Sequence, residues 1–263
     1  MLETKRIGAK RITEIPKDIL NKLNIGEIET ANLVEYLALN QIELLYSIHF
    51  PKKLPPEWQF NLSELSVNQK VQQIGIYLFS WAKQESILPE VWAVIHNHKA
   101  DMVRQWACFW LFAQYQEDIS LLLDSILKYA KDPHFAVRES AWISVRPVLS
   151  NDITLSIRLL ESWVQDADAN VRRFAIEVLR PCGVWTKHIP ILKKNPEIAA
   201  HLLEYVCADT SRYVQNSVAN WLNDAGKHNP EWVKDLCTRW ANTKEKTPET
   251  RYILKRALRN IQL

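Results

Sequence analysis

DPHFAVRESAWISVRPVL at 132–149 and DADANVRRFAIEVLRP at 166–181 are two copies of one pattern, and their shared frame decides the fold. KADMVRQWACFWLF (99–112), DTSRYVQNSVANWLND (209–224) and, more loosely, PETRYILKRALRNI (248–261) fit the same frame. Its aliphatic anchors are Val103, Val137, Val171, Val214 and Ile253, followed four residues later by Ala107, Ala141, Ala175, Val218 and Ala257. An apolar pair at i and i+4 is the core stripe of a helix. The anchors recur at 34, 34, 43 and 39 residues, the length of a helix pair with its turns. Apolar runs such as LLLDSILKYA, TLSIRLLESWV and IAAHLLEYVC fall between them and supply the second helix. Helix pairs that bury their faces against neighbours stack into an array. The expected class is therefore all-α, a HEAT-like or armadillo-type α-α superhelix of right hand. Five residues before the anchor, Asp132, Asp166 and Asp209 are predicted to cap the repeat helix by accepting its orphan N–H groups. His98 and Pro248 hold that place in the first and last copies.

Upstream of residue 96 the repeat is absent, but ANLVEYLALNQIELLYSIHF and NQKVQQIGIYLFSWAKQ carry helical patterns on either side of FPKKLPPEWQF. Residues 1–95 are expected to form an N-terminal helical cap continuous with the array, and 96–263 the repeat region itself. Only 5 glycines occur, with no Asn-Gly or Asp-Gly, so the commonest tight strand connections are missing. Cys108, Cys182, Cys207 and Cys237 form no C-x-x-C pair or zinc-ribbon spacing, which points to reduced thiols and to no metal site. MLETKRIGAKR lacks the apolar core of a leader, and no run approaches the roughly 18 apolar residues of a membrane span. A cytoplasmic monomer away from membranes is expected. A formal charge of +3 is too mild to prove nucleic-acid binding, so the distribution of cations has to decide. Eleven tryptophans exceed what a core of this size needs, which makes some of them candidates for a surface.

Positions two, six and nine or ten after the anchor lie about a turn apart and define a second helix face. It reads Glu139, Ile143, Arg146; Arg173, Glu177, Arg180; Asn216, Asn220, Asn223 and Asp224; Lys255 and Arg259. Equivalent positions in a curved array line one side, often the concave one. Plainer roles are open to each. Glu177 could pair with Arg173 and Arg180, Arg146-Pro147 and Arg180-Pro181 could be helix ends stopped by proline, and Asn223-Asp224 could be a cap. Trp185, in CGVWTKH, could face a ligand or plug a gap between repeats. Basic residues gather in the second half, among them Arg172, Lys187, Lys193, Lys194, Arg212 and Arg251, as a phosphate-tracking stripe requires, although Glu161, Glu204 and Glu231 are interspersed.

NVRRFAIEVLRPCGVW (170–185), SRYVQNSVANWLNDAGKHNPEWV (211–233) and TRYILKRALRNI (250–261) together resemble the AlkC branch of the AlkC/AlkD family of HEAT-like alkylpurine DNA glycosylases. The resemblance covers about residues 130–261, and the first half is similar only in being helical. It implies a catalytic glutamate at Glu177, a lesion-contacting tryptophan at Trp185, and an aspartate near the scissile sugar at Asp224. It puts Arg146-Pro147 on a family Arg-Pro, but Trp142 where the family has a second glutamate. Glu139, one turn earlier, is the possible auxiliary carboxylate. The sequence stops at Leu263, so the immunoglobulin-like domain that some AlkC proteins append is not expected.

The implied partner is double-stranded DNA containing alkylated bases of the 3-methyladenine or 7-methylguanine type, with no cofactor. Such bases are cationic and leave readily, so carboxylates that stabilise an oxocarbenium-like sugar and an aromatic face are suitable tools. Arg146, Arg173, Arg180, Asn220, Arg212, Lys255 and Arg259 are the expected DNA contacts. Two other readings follow from the same residues. One is a catalytically inactive DNA-binding relative, because of Trp142; the other is a HEAT-type protein-binding scaffold.

Overall fold

The computed structural model describes residues 6–183, 185–243 and 247–261. Among them no strand occurs; the regular elements are helices. They fall into two compact units, one made of the chain up to Glu117 together with His134–Ser144, the other of Asp118–Pro133 together with Val145 onward.

The first unit contains α1 (Lys17–Asn24), α2 (Leu33–Ala38), α3 (Gln41–Ser47), α4 (Trp58–Ser63), α5 (Val67–Gln84), α6 (Leu88–Ile95) and α7 (Asp101–Tyr115). The continuous helical pattern at 31–50 is cut into α2 and α3 because Asn40 caps α3, its side chain accepting from the N–H groups of Ile42 and Glu43. α5 packs on α7 at close range. A Cβ on Gly75 would come within 2.4 Å of the Trp106 carbonyl oxygen, so this approach needs glycine. At the start of α7, buried Asp101 accepts from the Thr30 N–H at 2.8 Å and the Thr30 hydroxyl at 2.9 Å. Burial pushes the Asp101 carboxyl up, against the opposing pull of His134 and Thr30.

The second unit contains α8 (Ile119–Ala130), the end of α9 (Phe135–Asn151), α10 (Ile153–Leu160), α11 (Ala169–Glu177), α12 (Pro190–Lys194), α13 (Ala200–Tyr205), α14 (Arg212–Gly226), α15 (Pro230–Thr243) and α16 (Pro248–Ala257). α11 packs on α14 and α14 on α16. All five anchors are at most 1% exposed, and the five residues four places on are completely buried. The repeat stripe is thus the core.

The capping expectation needs correcting for Asp166 and Asp209. The cap of α11 is Asp168, whose side chain accepts from the Asn170 N–H. Asp166 and Asp209 act two residues earlier, each closing the turn by accepting the N–H two places on, from Asp168 at 2.7 Å and Ser211 at 2.8 Å. His98 does the same with its ring nitrogen and the Ala100 N–H. A second regularity sits just after the anchor. Arg104, Arg172 and Gln215 each reach back to carbonyls of that turn, His98 and Lys99, Asp166 and Ala167, and Asp209 respectively. Three of the five repeat helices, α7, α11 and α14, are therefore each tied to their own entry turn by one long side chain.

The expectation that both Arg-Pro pairs end helices holds for Arg180-Pro181 alone. Pro147 lies inside α9, on its exposed side, and the helix runs on to Asn151. A single lost N–H is tolerated there, close to the helix end and next to solvent.

Candidate active site

α11 stops at Glu177, and the chain then turns across the top of α14. The last carbonyls of a helix have no partners within it, and here three in a row receive donors from neighbouring helices. Arg146 Nη1 donates to Val178 O at 2.6 Å, Trp221 Nε1 to Leu179 O at 2.9 Å, and Arg146 Nη2 to Arg180 O at 2.7 Å. Arg146 also donates to Lys187 O from Nη2 at 3.0 Å and from Nε at 3.3 Å, so it clips the loop after α11 back onto its start. Gly183 makes room for this. A Cβ there would lie 2.0 Å from Thr186 Oγ1 and 3.1 Å from Arg146 Nη2. Arg146 is only 2% exposed, and burial, with Arg180 nearby, brings its pKa down to about 10.

Trp185 stands out from this loop. It is 59% exposed and has φ +60°, a left-handed backbone that a bulky residue rarely adopts. The other ten tryptophans are buried or half-buried. Several spend their N–H groups inside the protein: Trp110 on Gln114, Trp142 on Glu139, Trp221 on Leu179 O and Trp240 on Glu204. The excess of tryptophan is mostly core, and the surface candidate is Trp185.

Two buried carboxylates come from successive repeats. Glu177, at the end of α11, is 3% exposed; Asp224, in the last turn of α14, is 4% exposed. Arg180 bridges them, donating from Nη1 to Glu177 Oε2 at 3.1 Å and from Nε and Nη2 to Asp224 Oδ2 at 3.0 and 2.7 Å. The Ser217 hydroxyl donates to Glu177 Oε1 at 2.6 Å, with Arg173 Nη2 at 3.6 Å from the same oxygen. Lys227 Nζ donates to Asp224 Oδ1 at 2.9 Å. Burial alone would lower the Arg180 pKa, but the two carboxylates raise it above the ordinary value. Both acids are oriented by cations that the chain itself supplies.

The remaining predicted residues divide by exposure. Arg173 is buried against the Tyr213 ring, its guanidinium carbon 4.2 Å from the centroid. Arg212 is exposed and stacks on Tyr252 at 3.6 Å, one repeat further on. Arg259 is exposed and donates to Asn220 Oδ1 at 3.1 Å; Lys255 is exposed. Arg212, Lys255 and Arg259 thus present charge to solvent, whereas the Arg146 guanidinium is committed to main-chain carbonyls. Glu139 and Trp142 belong to the first unit, where buried Trp142 donates its indole N–H to Glu139 Oε2 at 2.9 Å. Ser217, Trp221 and Lys227 were not anticipated. Lys227 follows Asp224 at i+3, a spacing that gives the pair away; Ser217 and Trp221 pair across 40 or more residues and leave no local trace.

Successive helix ends thus bring two buried acids onto one arginine, and the exposed Trp185 follows that arginine in the same loop. Residues 139–261, a little under half of the chain, match the model of the family described as DNA alkylation repair enzyme. A protein of Bacillus subtilis (strain 168), YhaZ, described as uncharacterized, is 34% identical over 161 residues, 61% of this chain and 40% of that protein. Among solved structures, Pseudomonas fluorescens alkylpurine DNA glycosylase AlkC, bound to DNA containing an abasic site analog, matches with TM-score 0.61 and 27% identity. That match covers 76% of this chain and 54% of AlkC. AlkD2 from Streptococcus mutans shares the fold at TM-score 0.60 and 21% identity, over 79% of this chain and 97% of its own. The all-α, HEAT-like class and the AlkC/AlkD resemblance both stand on these matches, which do not distinguish the AlkC branch. The chain spans about two fifths of the B. subtilis protein and about half of AlkC. Among the described residues no helix is long and apolar enough to cross a membrane.

Proposed function

We propose that the chain hydrolyses the N-glycosidic bond of cationic alkylated bases, of the 3-methyladenine or 7-methylguanine type, in duplex DNA. The observation that carries this reading is the Glu177–Arg180–Asp224 bridge, whose arginine opens the loop that carries the exposed, left-handed Trp185. In the reaction, water adds to C1′ of the sugar while the C–N bond breaks. The bonding pair neutralises the base, which leaves uncharged, and the water loses its proton to solvent. No strong general acid is needed for such a leaving group. What the site must supply is negative potential for the oxocarbenium-like sugar and an orientation for water, and Asp224 and Glu177 supply both. Trp185 offers its π face to the positive nucleoside. Arg180 and Arg173 keep the acids placed, and Arg146 sets the loop that carries the tryptophan.

Arg212, Lys255 and Arg259, the outward cations, are assigned to the phosphates, with Asn220 holding Arg259. AlkC's complex with DNA supports a nucleic-acid partner for this chain. The test is release of methylated base from a methylated duplex, identified by chromatography. Release that depends on Glu177 and Asp224 supports the enzyme; duplex binding without release leaves the inactive relative. That second reading is favoured by one observation, the indole of Trp142 in the place of a family carboxylate. A chain with no duplex affinity and no salt dependence would be the protein-binding scaffold.

A further inference from the structure

Asp224 gives one oxygen to Arg180 and the other to Lys227, and Lys227 leads directly into a cleft of about 400 Å³. His188, Pro190, Lys193, Lys194, His228 and Asn229 line it, with no carboxylate among them. The cleft is built from two stretches locked together. Asn229 Nδ2 donates to Lys193 O at 2.5 Å, and the Ile189 N–H donates to Pro181 O at 3.0 Å. Lys193 Nζ lies 3.4 Å from His188 Nδ1. Every titratable group lining the cleft is basic, and the nearby carboxylate, Asp224, is already engaged twice. His228 feels the result: burial, then Lys193, His188 and Lys227, hold its pKa below the usual imidazole value. Like charges gathered without a counter-charge are relieved by a bound anion.

We propose that the His188–Lys193–Lys194–His228 cleft is a binding site for a phosphodiester of the DNA backbone, next to the sugar that faces Asp224. The proposal rests on the DNA reading above and adds to it the residues that seat the strand beside the acids. Neither histidine was a predicted contact, and the loop between Trp185 and α12 gains a role in holding the backbone as well as the tryptophan.

The test uses the full chain and a duplex carrying an abasic-site analogue, with binding followed by fluorescence anisotropy at pH 6.5 over a range of salt. The double variant Lys194→Gln with His228→Gln changes two exposed side chains, and its fold is checked by circular dichroism. The expected result is affinity about tenfold weaker on any sequence, with the slope of log K against log salt shallower by about 1–2. His228→Arg, in a chain otherwise unchanged, should retain the slope. A variant that matches the wild type in affinity and slope overturns the cleft assignment while leaving the function standing. A wild-type chain that binds no duplex overturns both. In a second arm, inorganic phosphate is titrated while the imidazole proton resonances are recorded. Saturation of His188 and His228 by phosphate that duplex cannot displace makes this a free-anion site and also overturns the proposal.

Discussion

Glu177 and Trp185 sit within one short turn of chain and answer to opposite demands. Glu177 is buried and fully partnered, so even the near-isosteric Glu177→Gln disturbs the fold as well as the chemistry. It replaces an acceptor with a donor toward Arg180 or Ser217, and should cost about 1–3 kcal/mol in urea denaturation together with the loss of base release. Ser217→Ala, which removes one donor and leaves the charge, should cost less and lower the release rate only in part. Trp185 is exposed and its backbone is strained. Trp185→Gly should therefore leave stability unchanged or raise it by about 1 kcal/mol, because glycine adopts positive φ freely. Base release should nevertheless fall. A Trp185→Gly variant that loses both stability and activity would show that the ring plugs a gap between repeats.

At the scale of elements, the end of α11 and the α5–α7 contact are the two places where geometry allows least change. Arg146→Lys keeps the charge but lacks the fork that reaches three carbonyls. It should cost about 2–4 kcal/mol and make the bond after exposed Lys187 an early trypsin site, read by limited proteolysis. Gly75→Ala should cost about 1–3 kcal/mol, measured by thermal melting, because the obstacle is main chain and cannot turn aside. The stripe behind these helices was legible from the anchors, since burial at i and i+4 is local arithmetic. So was the approach of Glu177 to Arg173 and Arg180. What the turns do was not. Asp166 and Asp168 are both plausible caps, and only the path of the chain decides between them. Arg146 read as a surface cation because its frame position matches Arg180, yet it meets carbonyls more than 30 residues away. Asp224 was legible through resemblance, whereas its bridge to Glu177 depends on how α14 stacks on α11.

For the molecule as a whole, the thiols offer a direct probe. Cys108, Cys207 and Cys237 are buried, and burial pushes the Cys237 thiol up to about 12; Cys182 is half-buried, raised by burial and by Asp224. At pH 8, iodoacetamide should label Cys182 first, and the other three only as fast as their units open. Mass spectrometry of the labelled protein reads the order. Early labelling of Cys237 would mean that α15 opens on its own.

Helical arrays are commonly regarded as modular, gaining or losing one repeat at a time. The three carbonyls at the end of α11 qualify that view, because their donors come from both sides, Arg146 from α9 and Trp221 from α14. Excising either neighbour would strand polar groups in a dry interior. α9, α11 and α14 can therefore be inherited, shuffled or grafted only as a block.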